Sequence, residues 1–178
     1  MAEAWVRMEL DVGTFDADRW APYAERCRAA GVRLTTLAEL GDGPAQRRLL
    51  YELNKECAAD IPGRGPFYSY EEYLRERVDV PSFDPRGVVL ALAGDEWVGM
   101  AATSDRRGSG CVFNEMTGVR RAFRGAGVAV AMKVHGMGFA DLCGVRLVRT
   151  VHHPTNAKVI AMNRMLGYVE ADWDELTS

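Results

Sequence analysis

The stretch GVRRAFRGAGVAVAMK, residues 118–133, lies where a strand-like segment gives way to a helix-like one. It combines arginines with Gly125, Gly127 and a run of small apolar residues. Glycine lets the backbone approach an anion closely, and the first turn of a helix carries amides that have no partner within the helix. The stretch therefore predicts either a phosphate-binding loop or a tight turn that holds no ligand.

Two common phosphate-binding patterns do not fit this stretch. A Walker loop needs GxxxxGK followed by Ser or Thr, which the sequence does not contain. A dinucleotide fingerprint needs a third glycine where Val130 stands, and an acidic ribose partner on the next strand. The remaining ligand-binding interpretation is a nest of amides for a pyrophosphate, with Arg124 adding positive charge.

The composition is that of an ordinary globular protein, with 178 residues of which 48% are hydrophobic and 26% charged. A formal net charge of -3 argues against nucleic acid as the main partner and mildly favours a cationic small molecule. No apolar run approaches the roughly 20 residues of a membrane span, and the N-terminus lacks a signal-peptide layout. We therefore expect a cytoplasmic protein that contacts neither nucleic acid nor membrane.

The four cysteines are widely spaced and form no CxxC pair, so no zinc or other metal site is expected. Buried free thiols are the simpler interpretation of all of them. A nucleophilic Cys111 or Cys143 is the alternative.

Hydrophobic periodicity predicts one α/β domain over residues 1–178. Strands are expected at 4–12, 32–37, 111–119 and 145–151, as a hairpin within 87–104, and as a short strand in 168–176. Helices are expected at 15–31 with Asp16 or Asp18 as cap, at 44–59, at 69–79, from the opening stretch to about residue 142, and at 154–166. The helix at 44–59 places Leu49, Leu50, Leu53 and Cys57 on one face, and Ser69 with Glu72 forms a capping box.

Two blocks of sequence carry a family resemblance. Arg124, Gly127 and Ala129 fit Arg/Gln-x-x-Gly-x-Gly/Ala in register, and Val119 and Phe123 extend the match. The second block has an asparagine early in a helix and ends in MLGY, residues 165–168. With these motifs the chain resembles the GNAT superfamily of N-acetyltransferases, especially bacterial members that often carry two such domains. The resemblance spans most of the chain, with its specific motifs between residues 115 and 168.

The resemblance implies an α/β fold with a mixed, mostly antiparallel central sheet flanked by helices. This sheet is splayed between the fourth and fifth core strands, here residues 111–119 and 145–151. Residues 86–178 would form the core that binds acetyl-CoA, and residues 1–85 the wall for the acceptor. The implied donor-binding residues are Thr117, Gly118, Val119, Arg124, Gly125, Ala126, Gly127, Val128, Ala129 and Asn156. Helix capping is the alternative role of Asn156.

For catalysis the resemblance implies direct attack of a neutral amine on the thioester. Glu115 is the first candidate base, because strand alternation would place its side chain on the face of Thr117; an ion-paired glutamate is the alternative. His152 is the second candidate, since an imidazole with a near-neutral pKa suits proton shuttling; the alternative is a loop histidine without a role. Asn163 stands where many family members have a tyrosine, and it lacks an acidic proton but can hydrogen-bond the sulfur.

The acceptor and the assembly follow from the same resemblance. The residues expected to line the acceptor site are Glu56, Asp60, Tyr68 and Tyr70, whose alternative is ordinary solvation. Few residues follow Gly167, so the first strand, a second subunit or a second domain would complete the sheet, and we expect a homodimer. The predicted function is acetyl transfer from acetyl-CoA to a small amine. A CoA-binding domain without catalysis is the alternative.

Overall fold

The computed structural model describes residues 5–174 and residue 176. Its strands form one seven-stranded sheet in the order β2-β3-β4-β5-β6-β1-β7. They are β1 Val6–Asp11, β2 Val32–Thr36, β3 Val88–Ala93, β4 Glu96–Arg106, β5 Cys111–Val119, β6 Leu147–His152 and β7 Val169–Glu170. Each strand expected from the sequence is present, including the hairpin of β3 and β4.

The helices are α1 Ala21–Ala29, α2 Leu37–Leu40, α3 Pro44–Ala58, α4 Tyr70–Tyr73, α5 Val128–Gly136, α6 Gly138–Cys143 and α7 Ala157–Leu166. A π-helical turn, Leu74–Val78, continues α4. The predicted capping box is confirmed, since the Ser69 hydroxyl accepts from the Glu72 amide and the Glu72 carboxylate accepts from the Ser69 amide.

The first helix begins later than the sequence predicts. A 3-10 turn, Asp18–Trp20, precedes it, and Pro22 occupies its first turn, where a missing N–H costs nothing. Asp16 accepts from the amide of Asp18 at 3.2 Å and does not cap α1, so the predicted cap is wrong.

Two further helix predictions need correction. The helix expected to run from the opening stretch to about residue 142 is divided into α5 and α6 at Met137, which is flanked by glycines, weak helix formers. On α3 the buried stripe is Leu50, Leu53 and Cys57, at helical spacing, whereas Leu49 lies beside the stripe and is 50% exposed.

The sheet is splayed between β5 and β6. These strands are parallel but share a register only at Cys111–Phe113 with Leu147–Arg149. Beyond Phe113 and Arg149 both strands continue without pairing to each other, and the resulting gap is called the notch below. The predicted splay between the fourth and fifth core strands is therefore confirmed.

Apolar side chains cover both faces of the sheet. On one face α5 packs through Val128, Ala131 and Met132 against β3 and β4, with α1, α6 and α7 beside it. On the other face α2 and α3 pack against the same strands. No helix among residues 5–174 and 176 is long and apolar enough to cross a membrane.

The first strand completes the sheet next to the notch. β1 pairs antiparallel with β6, Val6 opposite His152 through Asp11 opposite Leu147, and carries β7 on its other edge. The first strand of the chain, one of the three expected ways to extend the sheet, does so next to β6. On the edge that faces away from the notch, β6 is therefore paired along its whole length.

Candidate active site

The loop between β5 and α5 has the backbone of an anion nest. Gly125 and Gly127 have φ values of 83° and 79°, a region that side chains disfavour. A Cβ on Gly127 would lie 2.6 Å from Cδ1 of Tyr23, so only glycine fits there. No side chain caps α5 at Gly127, so its first-turn amides are left open to a ligand.

The arginines of this loop are held by a carboxylate. Asp60, just after α3, accepts hydrogen bonds from Arg121 and, at 2.7 Å, from Nη2 of Arg124. The Arg124 Nε also donates to the carbonyl of Val119 at 2.8 Å. The hydrogen bonds from Arg121 and then Arg124 hold the pKa of Asp60 well below its usual range. Asp60 therefore stays ionised and competes with any anion for both guanidinium groups.

Removing this competitor should strengthen anion binding. We expect Asp60→Asn to tighten the binding of acetyl-CoA, the donor that the resemblance implies, by no more than a few-fold, because an ion pair in contact with water contributes little. Titration calorimetry at two salt concentrations measures the effect. Asp42→Asn is the matched control, since Asp42 pairs with Arg47 at the opposite end of α3. Weaker binding in Asp60→Asn would mean instead that the carboxylate positions the arginines for the ligand.

The backbone of β5 presents open groups to the notch. The Arg120 amide donates to the Val98 carbonyl at 2.8 Å, across the facing pair Val119 and Gly99. In this antiparallel pattern the amide and carbonyl of Val119 point away from β4, and those of Thr117 share that direction. The expected backbone donors and acceptors therefore face the notch, with the Val119 carbonyl already held by Arg124.

Strand β5 contains a bulge that the sequence did not reveal. Ala102 faces Met116 and Thr103 faces Asn114, so Glu115 is an extra residue that no residue of β4 faces in the register of the two strands. A bulge interrupts the alternation of side chains between the two faces of a strand. The prediction that Glu115 lies on the same face of β5 as Thr117 is therefore wrong.

The contacts of Glu115 show which face it occupies. Its carboxylate accepts from Ser104 at 2.6 Å, from Arg77 at 3.1 Å and from Arg106 at 3.3 Å, on the side of α4. Thr117 instead donates to the Asn114 side chain at 3.1 Å on the α5 side. Both carboxylate oxygens of Glu115 are thus engaged, Oε1 by Ser104 and Arg106 and Oε2 by Arg77 alone, which leaves one acceptor site open on Oε2.

A pocket of about 60 Å³ lies on the side of Glu115. Its polar lining includes Arg77, Ser104, Arg106 and Tyr73. This volume holds about two waters, so an acceptor enters only with its reacting end or by displacing a side chain.

The four residues expected to line the acceptor site do not line this pocket. Glu56 lies 3.0 Å from Nε of Arg120, and Asp60 binds Arg121 and Arg124, so both lie near the glycine-lined loop. Tyr68 and Tyr70 pack with Tyr51 in an aromatic cluster outside the pocket. The polar lining of this pocket comes from α4, the π-helical turn after it and β4, which meet only in the fold, so local sequence patterns could not reveal it.

Several polar side chains lie together at the end of the notch where β5 and β6 begin to separate. The Thr150 hydroxyl donates to the Asn114 carbonyl at 3.0 Å, linking β6 to β5 just beyond their last paired residues. Nε2 of His152 lies 3.4 Å from this hydroxyl and 2.8 Å from Nδ2 of Asn163. Lys133 of α5 donates to Oδ1 of Asn114 at 2.9 Å. We call Asn114, Lys133, Thr150, His152 and Asn163 the notch cluster.

The environment of His152 differs from the sequence-based expectation. Burial, with a smaller contribution from Lys133, lowers the pKa of His152 to about 4, so the ring is neutral at pH 7. Its Nε2 accepts the hydrogen bond from Asn163. The premise of a near-neutral pKa is therefore wrong, because the ring is removed from water and lies near a cation.

The two asparagines of α7 have different roles. Asn163 is 0% exposed, and its Oδ1 is a buried acceptor without a hydrogen-bond partner among the described residues. Asn156 occupies the N-cap of α7 but makes no side-chain capping bond. Its alternative role as a helix cap is therefore not what the structure contains. No group of three or more His, Cys, Asp or Glu suited to a metal occurs in the described part of the chain.

The sequence profile of the Acetyltransferase (GNAT) family matches residues 48–168. The protein belongs to this family. The match includes the pyrophosphate-type loop, both strands of the notch and α7. No curated protein sequence matches the chain significantly.

Solved structures share the fold at low sequence identity. A GCN5-related N-acetyltransferase from Sphaerobacter thermophilus superposes with a TM-score of 0.65 at 23% identity, over 94% of this chain and 48% of that one. This chain therefore spans about half of that protein. AAC(6')-Iy bound to a CoA bisubstrate analogue gives 0.61 at 19% identity, over 83% and 97%. Arabidopsis thaliana Naa50 bound to CoA-Ac-MVNAL gives 0.56 at 20% identity, over 77% and 82%.

Proposed function

We propose that this protein is an acyl-CoA-dependent N-acyltransferase that transfers an acetyl group from acetyl-CoA to a small amine. The observation that carries the proposal is the uncapped, glycine-lined start of α5 beside the backbone of Thr117 and the amide of Val119, which face the notch. Membership of the GNAT family supports it, as do the CoA analogues bound by AAC(6')-Iy and Naa50.

The donor would bind along the loop and the notch. Its pyrophosphate accepts hydrogen bonds from the amides of residues 125–129, with Arg124 released from Asp60 to add charge. The pantetheine arm pairs with Thr117 and Val119, passes Gly118 and reaches the amide of Asn156. Arg120 and Arg121, at the rim, are candidates for the nucleotide's 3′-phosphate.

The chemistry is attack of a neutral amine on the thioester carbonyl. An amide of β5 that faces the notch stabilises the oxyanion. Glu115 receives the amine proton on the pocket side, at Oε2, which accepts one hydrogen bond from Arg77. His152 orients Asn163, whose Oδ1 can accept from the thiol of the product.

A second candidate function is CoA binding without catalysis. Asn163 favours it, because an amide has no acidic proton to give to the departing thiolate. The division into an acceptor wall, 1–85, and a CoA core, 86–178, belongs to the main proposal. A homodimer and a cytoplasmic location are also part of the main proposal.

Two assays on the purified protein separate these functions. Titration calorimetry measures acetyl-CoA binding, and a thiol-detecting assay then follows CoA release with a panel of small amines and peptides. We expect saturable binding and thiol release that depends on one class of amine. Binding without acceptor-dependent release would favour the second candidate, and no binding at all would contradict both.

A further inference from the structure

Lys133 is a buried amine that has no counter-ion among the residues that the structure describes. Its side chain belongs to a residue that is 4% exposed, on the second turn of α5. It donates to Oδ1 of Asn114 at 2.9 Å and lies 5.1 Å from the ring centroid of Tyr168. In the part of the chain that the structure describes, no carboxylate forms an ion pair with it. One hydrogen bond leaves two of the three donors of an ammonium unused.

Such a residue lowers stability compared with an apolar side chain of the same size. Taking an ammonium out of water without a charged partner costs several kcal/mol, or else the group loses its proton. The neighbouring positions of α5 carry Val, Ala and Met, and a methionine would fit the same space. A lysine at this position is therefore better explained by chemistry than by packing.

The position of Lys133 is the closed end of the notch. Its partner Asn114 is the first residue of β5 beyond the pairing with β6, and the Thr150 hydroxyl joins the two strands there. From Asn114 to Val119, next to the anion nest, β5 extends about 16 Å at the rise of a strand. A ligand anchored at the nest and lying along this edge therefore ends with its reacting group near Lys133.

We propose that Lys133 donates the proton to the CoA thiolate that leaves in the acetyl transfer, an inference that rests on the proposed function. The amine nitrogen bonds to the carbonyl carbon, the C–S bond breaks, and its electron pair stays on sulfur. An N–H proton of Lys133 moves to that sulfur and gives the free thiol. The acceptor nitrogen loses one proton to Glu115, which passes it to solvent, and Lys133 regains one from solvent.

The electrostatics around Lys133 suit this role. Burial lowers the pKa of Lys133 to about 7, which is close to the pH at which a general acid works best. The titratable groups that face it are neutral: His152 of β6 at its lowered pKa, and Tyr168 after α7, whose pKa burial raises. β5 contributes the uncharged Asn114 and Thr117 on this face, while Glu115 lies on the other. A thiolate would thus be its nearest anion and would favour the ammonium.

The test measures the thiol of bound CoA and needs no acceptor. The ultraviolet absorbance of the thiolate is followed against pH for CoA bound to the protein, with the protein alone subtracted. Subtraction also removes the protein's own cysteines, whose pKa burial raises. We expect the wild type to lower the pKa of the CoA thiol by about 1–3 units, the effect of a close cation. Lys133→Met should abolish this shift, and Lys158→Met, on the exposed face of α7, should keep it.

A second readout uses the transfer reaction. Lys133→Met should lower kcat about 10²- to 10⁴-fold, with acetyl-CoA affinity nearly unchanged and melting temperature equal or higher. In the wild type, kcat should fall as the pH rises past the pKa of Lys133, about 7, and this fall should be absent in Lys133→Met.

The results distinguish a failure of the proposed function from a failure of the role of Lys133. If calorimetry detects no CoA binding, the proposed function fails and this inference fails with it. If CoA binds but its thiol pKa is unshifted in the wild type, or remains shifted in Lys133→Met, the role of Lys133 is wrong and the proposed function stands. The wild-type titration decides the first of these cases even if the variant does not fold.

Discussion

Replacing Arg124 by glutamate should lower the affinity for acetyl-CoA roughly 10- to 100-fold, since a hydrogen bond to a charged group is worth about 1.5–3 kcal/mol. The new carboxylate would lie beside Asp60, so like charges would face the pyrophosphate where one guanidinium now stands. Titration calorimetry with acetyl-CoA measures the loss directly.

The control for this variant is another exposed arginine in an ion pair. Arg164 of α7 pairs with Glu170, away from the nest, so Arg164→Glu makes the same charge change at a neutral site. We expect it to keep the affinity of the wild type. Equal affinity in Arg124→Glu and the wild type would rule out the loop as the pyrophosphate site.

Adding one methyl group at Gly127 should destabilise the protein far more than adding one at Gly125. Both glycines have φ near 80°, so alanine at either site costs about 1–2 kcal/mol of backbone strain. At Gly127 the new Cβ would also lie 2.6 Å from the ring of Tyr23, whereas at Gly125 no described residue apart from the chain neighbours lies within 4 Å. Overpacking of this kind costs roughly a further 1–3 kcal/mol.

Urea unfolding of Gly127→Ala and Gly125→Ala measures the two free energies of unfolding side by side. Gly127→Ala should also weaken acetyl-CoA binding, because relief of the clash moves either Tyr23 or the loop. Equal stabilities would show that the contact between Gly127 and Tyr23 does not determine the loop conformation.

Local sequence signals were sufficient for most of the fold. Turn residues and apolar periodicity predicted all seven strands, and the motif around Gly127 and Asn156 predicted the splayed sheet that β5 and β6 form. The predicted helix boundaries were wrong where the alternative local conformations differ little in energy. Nothing in the pattern showed that a 3-10 turn would precede Pro22, or that Met137 between two glycines would divide a helix.

The site was less predictable because its geometry depends on contacts between distant segments. The bulge at Glu115 reversed an argument from strand alternation, and its only sign is the register against β4. Asp60 lies 64 residues from Arg124 in sequence yet binds it, so it lies at the glycine-lined loop and not in the pocket beside Glu115. The burial of Lys133 had one available signal, a lone lysine within the apolar run of α5.

Amide chemical shifts during a titration with acetyl-CoA test the central claim most directly. The account predicts that the largest shifts fall on residues 125–129 and on β5 beyond Phe113, and that residues at the start of α3 do not respond. Saturation with shifts confined to another surface, or no shifts at all, would contradict the assignment of the nest and the notch to the acyl donor.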